Sequence, residues 1–175
     1  MFKKILCPTD GSDHSLKALD LAIDLAKKYD AELIVLHVPE RSGNIDALQR
    51  FAEIEGLAEH FDREKVRLGS MDYAIGLPEE SAFHHAEISP RLLVEVGQHI
   101  IDGAKSRALE KGINNIDARL EGGDPADRTL ECIDNEGIDC VVMGSRGLGD
   151  LKGLFLGSVS HKVANRAPCT CITVK

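Results

Sequence analysis

A chain of 175 residues is long enough for one domain with a proper core, and its 29 acidic against 21 basic residues leave a net charge of −8. No basic tract stands out, which removes the electrostatic footing for direct binding to nucleic acid or to an anionic membrane. No early apolar run is long enough for a signal peptide, and none approaches the ~20 residues that cross a bilayer, so a cytoplasmic protein is expected.

Apolar periodicity alternates between strand and helix along the chain. Phe2–Pro8 reads as a strand that stops at the proline and delivers Thr9 and the acid Asp10 at its carboxyl end. Ser12 or Asp13 is placed to cap a helix beginning near His14. Its stripe of Leu16, Leu19, Ala22, Ile23 and Ala26 runs to a basic close at Lys27 and Lys28. Ala31–Val38 is the second strand. Residues 40–87 then interrupt the alternation. Ile45, Leu48, Phe51, Ala52, Leu57, Ala58 and Phe61 fit an amphipathic helix over about 44–62, and Gly69–Pro78 reads as loop. His60, His84 and His85 fall in this segment and His99 follows it. Neighbouring histidines with no carboxylate or cysteine at ligand spacing read as solvated, so no metal is expected.

Ser89-Pro90 opens the next helix, with Leu93, Val96, Ile100, Ala104 and Ala108 on one side until Gly112. Gly97 and Gly103 weaken it by roughly 1 kcal/mol each against alanine, so both are expected where another element packs close. Ile113–Leu120 holds the third strand. Asp124-Pro125-Ala126-Asp127 caps a helix ending near Gly137. Cys140–Met143 is a short buried strand, Gly144–Gly157 is glycine-rich, a last helix starts at Ser158, and Cys169–Val174 is the fifth strand. Repeated βα units of this length imply a parallel five-stranded sheet with helices on both faces.

A strand followed by a glycine-rich loop and a helix start gathers backbone N–H groups where phosphate can be bound. Ser158 and Ser160 add hydroxyl donors there. Two better-known loops do not fit. Gly144-x4-Gly149 opens like a Walker loop, but Asp150-Leu151 stands where Lys and Ser/Thr are required. Gly147-x-Gly149-x3-Gly153 is one residue too long for the dinucleotide fingerprint, and Cys169–Val174 offers no acid for a ribose. Asp10 at the end of one strand and the glycine loop at the end of another match the place where parallel α/β sheets bind ligands.

Pro8-Thr9-Asp10-x-Ser12, Leu33-Ile-Val-Leu-His37-Val38 and Gly144-x2-Gly147-x9-Gly157-Ser158 occur in that order. On these residues the chain resembles the universal stress protein family, over about 1–40 and 88–175, with the glycine spacing of its nucleotide-binding members. The resemblance implies one domain over 1–175, of the adenine nucleotide alpha hydrolase-like fold. Its strand order would be 3-2-1-4-5, with an insertion at about 40–87. It implies ATP, ADP or AMP as ligand, with or without Mg, held by Pro8, Thr9, Asp10, Val38, Met143, Gly144, Arg146, Gly147, Gly157, Ser158, Val159 and Ser160. Asp10 is expected on the sugar or on a divalent ion, the alternative being a helix-capping acid. Arg146 and Lys152 read equally as phosphate partners or solvated loop cations. The implied role is a stress-response regulatory or signalling module, with 40–87 available to a protein partner. A slow ATP hydrolase, or a nucleotidyl- or phosphoryl-transfer enzyme, is the alternative; it would need a positioned base beside the phosphates, and no residue is assigned as catalytic.

Five cysteines without a secretory signal read as reduced thiols. Cys169 and Cys171 share a strand face, and they and Cys7, Cys132 and Cys140 read as small apolar residues on buried elements. The last strand lies at the sheet edge in the family's order, which implies a homodimer through it.

Overall fold

The computed structural model describes residues 1–39, 90–148 and 156–175. The helix expected over 44–62, the loop at 69–78, His60, His84, His85 and Lys152 lie outside them. The chain divides into two compact units, Met1–Glu40 with Gly97–Lys175, and Arg41–Val96. Of the second, only residues 90–96 are described.

The first unit is an α/β sheet of five parallel strands. In chain order the described elements are β1 (Lys4–Pro8), α1 (Asp13–Tyr29), β2 (Glu32–His37), α2 (Pro90–Glu110), β3 (Ile116–Leu120), α3 (Pro125–Glu136), β4 (Cys140–Gly144), α4 (Ser158–Arg166) and β5 (Thr170–Val174). The strands run β3-β2-β1-β4-β5 across the sheet, the order implied by the family resemblance. The first turns of α2 belong to the second unit.

Period-two alternation divides the strands between two apolar layers. Ile5, Cys7, Leu33, Val35, Cys140 and Val142 meet Ala18, Leu19, Ala22, Ile23 and Ala26 of α1 and Ile101, Ala104 and Ala108 of α2. Leu6, Ile34, Leu36, Val141 and Met143 turn the other way, onto Ala126, Leu130, Cys132 and Ile133 of α3 and Val163 of α4. Helices therefore cover both faces. Each fully buried Leu or Ile side chain contributes roughly 1.5–3 kcal/mol, so the central strands β1, β2 and β4 anchor the sheet.

Helix ends follow local chemistry. Ser12 is the cap of α1, its hydroxyl accepting from Ser15 N at 3.3 Å; Asp13 is the first helical residue. The buried stripe of α1 includes Ser15 and Ala18, and Leu16 is only half-buried. Asp124 caps α3 by accepting from Asp127 N at 2.9 Å, with Pro125 in the first turn. β3 begins at Ile116 rather than Ile113 because Gly112 N and Ile113 N bond back to Leu109 O and Ala108 O, which keeps Ile113 in the close of α2.

Candidate functional site

Among the described strands, the pairing of β1 with β4 stops short. β1 pairs with β2 through Pro8, but with β4 only at Ile5↔Cys140 and Leu6↔Val141. Pro8 supplies the reason. Thr9 N donates to Leu36 O on β2 at 2.9 Å, and Asp139 N donates to Lys4 O. Odd-numbered residues of β1 thus face β2 and even-numbered ones face β4, because backbone groups alternate along a strand. The N–H that would carry the ladder toward β4 is the one proline lacks. From β1 the chain builds β2 and β3 on one side, then crosses to β4 and β5 on the other. The gap beyond Leu6 and Val141 is therefore the point where strand order reverses.

The β1 exit is held by a small polar cluster. Thr9 Oγ1 donates to Ser15 Oγ at 3.1 Å, Asp10 N approaches the same oxygen at 3.4 Å, and Ser15 Oγ donates to Ser12 O at 2.9 Å. His37 Nδ1 lies 2.7 Å from Thr9 O. Burial pushes the His37 pKa below its ordinary value, opposed by the bond to Thr9 and by the Asp10 charge. One Asp10 oxygen accepts from Ser12 Oγ at 2.6 Å and Ser12 N at 3.1 Å; the other accepts from Leu148 N, in the glycine loop, at 2.8 Å. Asp10 thus ties the loop after β4 to the end of β1.

The β4 exit is set by close approaches. A Cβ on Gly144 would stand 2.9 Å from the His14–Ser15 peptide of α1, so this glycine lets the helix start close on the strand. A Cβ on Gly147 would fall on the Asp10 carboxylate. At Gly157 the nearest atom would be Arg146 Cα at 3.6 Å, an ordinary contact. Ser145 joins the segments, its N–H donating to Val174 O and its carbonyl accepting from Gly157 N at 2.8 Å and Ser160 Oγ at 2.8 Å. Helix α4 then starts with Gly157 as its cap and no side-chain cap bond.

Thr9 and Asp10 share the bonds at the β1 exit, Gly157 and Ser160 bond to Ser145, and Gly144, Arg146 and Gly147 lie at the β4 exit. Val38, Met143 and Val159 are placed otherwise, their side chains belonging to the apolar layer under α3 and α4. Ser158 is exposed at the first position of α4, and Pro8 ends β1 half-buried. The Ser160 hydroxyl donates within the fold, its single proton facing Ser145 O at 2.8 Å and Gly157 O at 3.1 Å. Sequence reasoning missed Ser15, Ser145 and Leu148. A serine within the apolar stripe of α1 was the one available signal. The cysteines are all free thiols, and burial raises Cys7 to about 12 and Cys132, Cys140 and Cys169 to about 11. Among the described residues no helix is long and apolar enough to cross a membrane.

A family model, the Universal stress protein family, matches residues 1–175. The universal stress protein YxiE of Bacillus subtilis is 33% identical over 175 residues, covering 100% of both chains. Among solved structures, the universal stress protein UspA from Lactobacillus plantarum shares the fold with a TM-score of 0.65 at 20% identity, over 99% of this chain and 98% of that one. A universal stress protein crystallised in complex with cAMP has a TM-score of 0.60 at 26% identity, over 99% of this chain and 97% of its own.

Proposed function

The chain belongs to the universal stress protein family, and from that premise we propose that it binds an adenine nucleotide, ATP foremost, at the carboxyl edge between β1 and β4. The observation that carries this reading is the gap opened by Pro8, where the Asp10 carboxylate, the Gly144–Leu148 segment and the start of α4 converge. A helix start capped by glycine leaves N–H groups for an anion, and the helix dipole supplies positive character in a chain of net charge −8. The phosphates then lie against Gly157, Ser158, Val159 and Ser160, with Ser160 contributing main chain rather than hydroxyl. Arg146 and Gly147 flank them. Asp10 and Thr9 take the sugar or a Mg ion, and adenine meets the main chain at Val38 and Met143. The cAMP complex of a relative 26% identical supports adenine as the base.

Binding has a local consequence. Leu148 N is held by Asp10, and a phosphate arriving beside that carboxylate competes for the loop or brings a cation that shares it. Reordering of the loop changes the surface offered to a partner, which is the regulatory output we assign to a stress-response module. The same reading includes a cytoplasmic homodimer joined through β5, and a protein partner at 40–87. Amide resonances followed during ATP titration test the site. Shifts concentrated at Thr9–Asp10, Ser145–Leu148 and Gly157–Ser160 are expected; shifts confined to another part of the chain would overturn the assignment.

A further inference from the structure

His37 is a buried titratable group, 6% exposed, that the nucleotide site as described does not use. Its Nδ1 is 2.7 Å from the Thr9 carbonyl, which can only accept, so Nδ1 carries the proton. That carbonyl belongs to the Thr9–Asp10 peptide, whose N–H approaches Ser15 Oγ at 3.4 Å. The peptide is therefore gripped at both ends, by β2 on one side and α1 on the other. Its orientation decides where the Asp10 side chain leaves the backbone, and Asp10 in turn holds Leu148. The ring has little freedom of its own. A Cβ on Gly97 would meet His37 Cδ2 at 3.1 Å and Leu120 Cδ1 at 2.7 Å, so the glycine lets α2 close over the imidazole. His37 O also accepts from Glu121 N at 3.0 Å, fixing the β2 exit against the β3 exit.

We infer that His37 is a positioning residue of the nucleotide site: its imidazole sets the Thr9–Asp10 peptide, and through it the carboxylate that holds the glycine loop. The inference rests on the nucleotide-binding reading for its functional meaning, but its structural core does not. Through that peptide the His37 donor acts on Asp10 and, by way of Asp10, on Leu148.

The test is the Leu148 amide proton resonance in nucleotide-free protein, together with ATP affinity. Asparagine places a donor near the position of Nδ1; glutamine places it one bond further out, and leucine has none. His37→Asn should keep the Leu148 resonance near its wild-type position and ATP affinity within about twofold. His37→Leu and His37→Gln should move that resonance upfield as the carboxylate leaves, and lower affinity about fivefold, the worth of one hydrogen bond. If the leucine variant does not fold, the Asn and Gln variants decide. An unmoved Leu148 resonance in a folded Leu or Gln variant overturns the inference even if ATP binds. Absence of ATP binding by the wild type overturns the functional reading, while the resonance still judges the role of His37.

Discussion

A methyl group at Gly144 would stand 2.9 Å from the main chain of α1, whereas one at Gly157 would meet nothing closer than Arg146 Cα at 3.6 Å. The two glycines of one motif therefore answer to different demands, the first to helix packing and the second to the space above α4. Gly144→Ala should lower stability by about 1–3 kcal/mol in urea denaturation, the usual cost of forcing bulk into a packed contact. Gly157→Ala should change stability by less than about 1 kcal/mol yet weaken nucleotide binding, since it adds a methyl group at the proposed phosphate site. Equal stability losses in the two variants would remove this distinction. His37 gives a pH signature. It is neutral in the fold because burial lowers its pKa from 6.5, while the unfolded chain takes up that proton near its ordinary value. Stability should thus fall as pH drops below about 6.5 and stop falling once pH passes the folded value. His37→Asn removes this contribution, so its urea midpoint should decline less than the wild type's between about pH 7 and pH 5. Parallel declines would contradict the buried, neutral assignment.

At the level of elements, three of the five thiols gather at β4 and β5: Cys140 in β4, Cys171 in β5 and Cys169 just before it. Cys140 is buried from one side of the sheet, and Cys169 and Cys171 pack on the other. With burial holding these thiols well above neutrality, native protein should react slowly with a disulfide reagent at pH 8, and denatured protein should release five thiols per chain. Rapid native reaction of any cysteine would defeat this. Elements with local signals are legible in the sequence: Ser12, Asp124-Pro125 and Gly157-Ser158 each mark a helix start in their own chemistry. The start of β3 within 113–120 is set by the close of α2, which claims Ile113 through a backbone bond that leaves no compositional trace. Ser15 escaped for a related reason. Its burial and its clamp on Thr9 and Asp10 depend on the start of α1 closing on Gly144, residues far apart in sequence. The candidate site was legible as a set of residue types; its wiring, with Asp10 on Leu148 and Ser145 on Gly157, was not.

Across the whole molecule, β5 is the sheet edge on one side. Thr170 N donates to Asp139 O and Val174 O accepts from Ser145 N, so the even-numbered residues of β5 face β4. Cys171 and Thr173 then present their N–H groups to the side away from β4, where no described strand pairs. An edge of this kind is a template for a second copy related by a two-fold axis. Thr173→Pro should weaken the proposed dimer while sparing the β4–β5 ladder, whereas Ile172→Pro would strike the ladder itself. A wild-type monomer by light scattering at micromolar concentration would exclude the dimer. Calorimetric titration with ATP, ADP and AMP, with and without magnesium, measures whether the gap beside Pro8 holds an adenine nucleotide. Saturable binding, lost in Gly147→Val because the added side chain displaces the Asp10 carboxylate, is the predicted result; no heat from any adenine nucleotide at millimolar concentration would contradict it.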